Sequence, residues 1–356
     1  MATRIRPVTW IAVLVCTACA GSREPQIGPQ PIPADGAVAI AYDGGSQELV
    51  LELAPIDLPA QAGHDIEQPL PGEATIPVSG WLQGYRVEVL DANGRQVPRA
   101  VIHHVNIMAP DRRELFSPVM QRIGAVGHET APVELPGLIG YPIEKGGRIM
   151  VSAMLHNPTG EAYHRVRVRV RFKHETKGWI DPIDVFPFYM DVTPPATLHS
   201  FDLPPGRSEQ SWEAQPAVNG RILGMGGHVH QHATSLRLTD VTEGRVLYET
   251  APVLDEAGRV TGMPQDFFLG RLGIPVRAAH TYRLTVTYEN PTGDTIVDGG
   301  MGALGGIITL ARGATWPTVD ANDPQYEKDL EIRSTPHWTE MRGAPVTGTA
   351  GHTHRH

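Results

Sequence analysis

Five short stretches carry residues able to do metal or acid–base chemistry. GGHVHQHATSLRL (226–238) places His228, His230 and His232 at every second position behind two glycines. AVIHHVNIM holds the doublet His103–His104 inside an apolar pattern. SAMLHNPTG carries His156, VTYENPTG carries Glu289, and DGGMGALGG carries Met301. Positions i, i+2 and i+4 of a β-strand share one face, so GGHVHQH as a strand would point three imidazoles the same way. In a regular strand, His103 and His104 would face opposite sides and one ring would enter the core. Burying an unpaired imidazole is costly, so coordination or a strand-end bulge is the more economical expectation.

The elements that must position these groups read as strands. RVRVRVRF (165–172) alternates strictly, with Val166, Val168, Val170 and Phe172 on one face. YRVEVLDANGRQVP reads as a hairpin turning at Asn93–Gly94, SLRLTDVTEGRVLYE as one turning near Glu243–Gly244, and YRLTVTY as a further strand. With 38 glycines, 32 prolines and no long amphipathic run, an all-β chain of short strands is expected.

An internal repeat organises the chain. Residues 146–168 match 278–300 in pattern, each a strand closed by Asn-Pro-Thr-Gly, and each half has a histidine cluster upstream. The repeat places Glu289 where the first half has His156. It suggests one all-imidazole set, His103, His104 and His156, and one imidazole–thioether set, His228, His230 and Met301. Thioether favours Cu(I), and imidazole serves both copper oxidation states. Three imidazoles with an open position also suit zinc. The other histidines of the 16, including those of the C-terminal GHTHRH, read as surface or hydrogen-bonded groups.

The expected layout is a lipoprotein signal peptide over 1–18 and a flexible tether over 19–36. Metal-binding β-sandwiches follow over 37–180 and 181–320, with a C-terminal tail over 321–356. Arg4 and Arg6 precede a short apolar run, and CTACAGS resembles a bacterial lipobox with Cys19 as the lipidated residue. Cys16 departs from the usual leucine, and a plain secretory signal is the alternative. Either reading puts the mature protein in the cell envelope, at the outer membrane or periplasmic face, attached to membrane through a lipid anchor only. Both cysteines fall in this segment, which leaves no internal disulfide and no thiolate metal site. The net charge of −9 and the lack of a basic stripe argue against nucleic acid as a partner.

In their order along the chain, these motifs resemble the copper type II, ascorbate-dependent monooxygenases, the peptidylglycine α-hydroxylating and dopamine β-monooxygenase family. The resemblance spans roughly residues 69–312. It rests on HH in AVIHHVNIM, the histidine of MLHNPTG, HVH in GGHVHQH and the methionine of DGGMGALGG, with ELPGLIGYPIEKGGRI similar to the family's lead-in. It implies two tandem jelly-roll-like β-sandwiches, each binding one copper. His103, His104 and His156 would hold an electron-transfer copper. His228, His230 and Met301 would hold the copper that activates O2. Ascorbate or another external reductant would load both, and a C–H bond of a small organic substrate would be hydroxylated.

The departures are specific. Peptide-amidating members carry an arginine two residues before His-X-His and polar and aromatic residues after the methionine. Gly226, Ala303 and Gly305 stand there instead, so a peptide-amidating activity is not expected. His232 is an extra ring, and it and Glu289 are candidates for orienting a ligand from behind. Two competing readings are a non-catalytic copper-binding envelope lipoprotein for storage, sensing or delivery, and a structural β-sandwich that has lost its chemistry.

Overall fold

A computed structural model of the chain describes residues 38–60, 66–128, 132–197, 199–268, 270 and 272–334. The leader with Cys19, the whole tether and the GHTHRH tail lie outside the described residues.

The alternating strands assemble as their patterns require. Ala39–Asp43, Glu48–Glu52, Tyr163–Glu175, Gly80–Leu90, Ile139–Ile143 and Ile183–Asp184 form one sheet in that order. Gly72–Thr75, Arg148–Leu155, Ile102–Arg113 and Met120–Val126 form the sheet that packs against it. Val166, Val168, Val170 and Phe172 are all buried, while the arginines between them meet Glu48, Glu52 and Glu88 on the other face. That is a half-buried antiparallel strand with a solvated outer side.

A second sandwich follows. Phe186–Asp191, Gly302–Leu310, Gly220–Val229 and Gln265–Phe267 make one sheet. Gly206–Ala214, Tyr282–Asn290, Ala233–Asp240 and Arg245–Thr250 make the other. Strands cross repeatedly between the two sheets of each half, the jelly-roll habit. The first sandwich's strand pairing runs on to Ile183–Asp184, which pairs parallel with Ile139 and Gly140.

The repeat extends to hydrogen-bond detail. Asn157 donates its amide to the carbonyls of Pro59 and Glu161 and accepts from Thr159. Asn290 makes the same bonds to Pro204, Asp294 and Thr292. In both halves this asparagine pins the end of its strand to an upstream Leu-Pro segment (58–59 and 203–204).

Part of the segment expected as a tail is a helix, Pro324–Ser334. Asp323 caps it by accepting the Gln325 N–H, and proline occupies its first position. Its Tyr326 packs on Met108, Met120 and Met150, on the outer face of the first sandwich. The helix escapes the sequence reading because only a few apolar residues anchor it and the strand signals around it dominate.

The sandwiches share one hydrophobic core. Phe116 meets Phe188 and Tyr282 edge-on at 5.9 Å, Phe186 stacks on Trp316 at 4.7 Å, and Arg112 lies over Tyr141 and Phe186.

Candidate metal centre between two β-sandwiches

The histidine doublet sits at the start of Ile102–Arg113. Ile102 pairs with Leu155 and His104 with Met154, so His103 is an extra residue in a β-bulge. Ile102 and Val105 both enter the core, while the two rings between them turn to the outer face and are half-buried. The bulge thus does what the sequence requires: neither imidazole is forced into the apolar interior. The rings meet edge-on, with Nδ1 atoms 2.7 Å apart. One Nδ1 carries the proton that the other accepts. A metal ion in place of that proton meets two lone pairs.

His156 follows the paired strand Arg148–Leu155, and its backbone N–H donates to the Val101 carbonyl. This brings it to the same strand end as the doublet. The three rings nevertheless do not each bring a nitrogen within 4.8 Å of the others, since among the described residues only Asp240, Glu243 and His280 form such a triad. An all-imidazole set would need the three rings to draw closer together than they stand here.

The second set is built at the end of Gly220–Val229. Val229 pairs with Gly302 as the last rung of that ladder. His230 and Met301 are the next residues on the two strands. His228 pairs with Ala303, and its ring lies 5.5 Å from that of His230. The expectation of three rings on one face does not hold. The strand ends at Val229, and 230–233 is a turn in which the His230 carbonyl accepts the Ala233 N–H. His232 takes φ +73° there, a left-handed conformation that histidine tolerates better than most residues. Nor does Glu289 stand behind a ligand. Its side chain is exposed, and its backbone N–H donates to the His232 carbonyl.

The reason is topological. The doublet lies on the strand that pairs with the first NPTG strand. His228 and His230 lie on or beside the strand before the corresponding one, in the opposite sheet. The two clusters share a sequence order without occupying equivalent places, so the slot of His156 does not carry over to the second set.

His104 lies within electrostatic range of His228 and His230 of the second sandwich. Enclosure by surrounding atoms, then the neighbouring charges of His103, His228, His230 and Arg122, push the His104 imidazolium down to about 3. His104 is therefore neutral at physiological pH, the form that binds a metal without releasing a proton.

On the second sandwich, Gly226, Gly305 and Tyr189 form one cross-strand row, and His228, Ala303 and Asp191 the next. Gly226 and Gly305 thus bring no side chain to the row beside His228. A side chain added at Gly305 would find nothing nearer than the Phe188 carbonyl at 3.9 Å.

A polar junction that sequence reading missed joins the halves at the edge of this face. His199 Nδ1 donates to Asp191 at 2.9 Å, and its Nε2 accepts from Arg122 at 3.1 Å and Arg333 at 3.0 Å. Two guanidiniums on Nε2 fix the neutral tautomer, and burial together with those charges lowers the His199 pKa. Arg122 also stacks on Tyr189 at 3.9 Å. The buried Glu114 carboxylate accepts the N–H groups of Leu115, Arg122 and Tyr189, from both halves. The cavity here, about 30 Å³, has room for no more than a water or two. Isolated histidines and arginines far apart in sequence gave no signal for it.

The triad Asp240–Glu243–His280 lies at the far end of Ala233–Asp240. Its groups are already satisfied: Asp240 holds His280 at 2.8 Å, and Glu243 holds Arg277 at 2.6 Å. It is a salt-bridged hairpin turn.

No family model matches the chain, and no curated protein matches it. Among solved structures it is similar to the major capsid protein P2 from bacteriophage PM2 (TM-score 0.35, 10% identity, 75% of this chain and 100% of that one). It is also similar to PNGF-II (TM-score 0.36, 10% identity, 74% of this chain and 66% of that one). Likeness this distant carries no functional information.

Proposed function

We propose that the protein is a copper-dependent monooxygenase that hydroxylates a C–H bond of a small organic substrate with O2 and an external reductant such as ascorbate. The observation that supports the reading is the nearness of His104, in the first histidine cluster, to His228 and His230 of the second sandwich. The doublet with His156 is all imidazole, and His228, His230 and Met301 add a thioether. This donor chemistry fits copper in both oxidation states. When bound, copper supplies the one-electron and O2 chemistry that no protein side chain provides.

The chain's own share is positioning. The bulge at His103 turns two rings outward together, and the neutral His104 is ready to ligate. The end of the second ladder holds His230 opposite Met301. Gly226, Ala303 and Gly305, in the row of His228 and the row beside it, carry no charged or polar side chain, which supports a substrate lacking a carboxylate that needs a clamp. The same bareness favours the alternative, a copper-binding envelope lipoprotein that stores, senses or delivers the metal without turnover. In both readings Cys19 carries the lipid, and among the described residues no helix is long and apolar enough to cross a membrane.

Metal analysis of protein from its native compartment, with ascorbate-dependent O2 uptake over a substrate panel, tests the proposal. Two coppers per chain with substrate-dependent uptake are expected. Two coppers with no uptake favour the carrier. Unchanged copper content in both His103→Ala and His228→Ala ends the metal reading, and zinc in the all-imidazole set ends the two-copper one.

A further inference from the structure

We infer that Tyr288 is a positioning residue for the second donor set, setting the backbones of His230 and Met301 from across the sandwich. The consequence for copper rests on the reading above; the geometry does not. His230 and Met301 both lie one residue beyond the last rung of their ladder, Val229 with Gly302. No backbone pair of that ladder holds them. Tyr288 belongs to the opposite sheet, on Tyr282–Asn290, whose inward residues Tyr282, Leu284, Val286 and Tyr288 are fully buried.

The Tyr288 ring crosses the core and ends at the gap. Its hydroxyl accepts the His230 N–H at 3.1 Å and the Met301 N–H at 2.9 Å, and donates to the Met301 carbonyl. One donor and two acceptor sites are all used. The phenol stands in for the rung that the ladder lacks, and it joins the two strands that carry an imidazole and the thioether.

The repeat argues that this is more than packing. Tyr288 stands two residues before Asn290, and the corresponding residue before Asn157 is Leu155, equally buried and without a hydroxyl. The fold accepts a plain hydrocarbon at this position. A phenol occurs in the half where ligands from two strand ends must be kept in register. A buried tyrosine has to find a partner for its hydroxyl, and here both partners belong to ligand residues.

The test compares Tyr288→Phe with Tyr282→Phe in the full chain. Tyr282 is a matched control: it is on the same strand, is equally buried, and accepts one backbone N–H from Arg277 at 3.0 Å. In copper-free protein with 13C-methyl methionine, Tyr288→Phe should shift and mobilise the Met301 methyl signal, while Tyr282→Phe leaves it in place. With Cu(I) added, Tyr288→Phe should weaken the second set roughly 10–100-fold and reduce copper–sulfur scattering, with the first set unchanged. A Met301 signal and a Cu(I) affinity equal to wild type in Tyr288→Phe overturn the inference. A displaced Met301 signal in a protein whose wild type shows no copper–sulfur scattering upholds the tyrosine's role and overturns the copper reading. Should Tyr288→Phe not fold, amide exchange in the wild type decides. Slow exchange at both His230 and Met301 supports the bonds, and fast exchange at both removes them.

Discussion

The two donor sets solve the same problem by opposite means. In the first, an irregularity within a ladder does the work: one extra residue at His103 swings two adjacent rings to one side, and His156 arrives on the neighbouring strand. In the second, the ladder simply stops, and two of the proposed ligands, His230 and Met301, stand just past its end, joined by a side chain from the opposite sheet. The first set is local and rigid in its doublet but open at His156. The second depends on contacts between residues far apart in sequence. A duplicated sandwich therefore does not dictate a duplicated site, because the two clusters use different strands of the common plan.

The largest effects should come from the paired rings. His228→Ala is expected to abolish reductant-dependent O2 uptake and lower copper from two to one per chain. His103→Ala should do the same while leaving Cu(I) at the second set, as read by copper–sulfur scattering. Equal loss of both coppers in either variant would show that the two sets act as a single centre.

Met301→Ala should weaken Cu(I) at the second set at least as much as the roughly 10–100-fold typical of changes behind a ligand. Competition titration with a Cu(I) chelator measures this. His156→Ala should weaken the first set alone.

The polar junction between the sandwiches should respond to pH. Burial raises the Glu114 carboxyl from 4.5 to about 7, against the lowering pull of three backbone donors. The folded state then binds more protons than the unfolded state between those values. The contribution of this group is full below about 4.5 and is lost as pH rises through about 7, a difference on the order of 3 kcal/mol. Glu114→Gln should flatten this part of the stability profile in denaturant titrations at several pH values.

The smallest effect tests the non-equivalence itself. Glu289→Gln, at the repeat position of His156, should change stability by less than about 0.5 kcal/mol and leave both copper affinities intact. A weakened second set in this variant would reinstate the repeat as a guide to that site.

The sheets were legible because alternation such as RVRVRVRF leaves one arrangement of buried and solvated faces. The bulge at His103–His104 was legible for a related reason: two imidazoles in an apolar run are too costly to split across a strand. The position of His232 was not, because the period of two continues through GGHVHQH while the chain itself turns after Val229. Tyr288 was hidden by its regularity, since it keeps the inward phase of its strand and only its hydroxyl departs from packing. The junction around His199 joins residues 114, 122, 189, 191, 199, 329 and 333, and no spacing rule connects them.

The short helix gives the fold a direction in time. Arg333 and Asp329 reach the junction from a segment synthesised after every strand of both sandwiches, and Asp329 accepts the Met120 N–H at 3.2 Å. Each sandwich can pair its strands as it emerges, but His199 cannot receive its second guanidinium until residue 333 has been made. Alignment of the two halves is thus completed as a late step of assembly. That delay leaves the junction around His199 incomplete until nearly all of the described fold is in place.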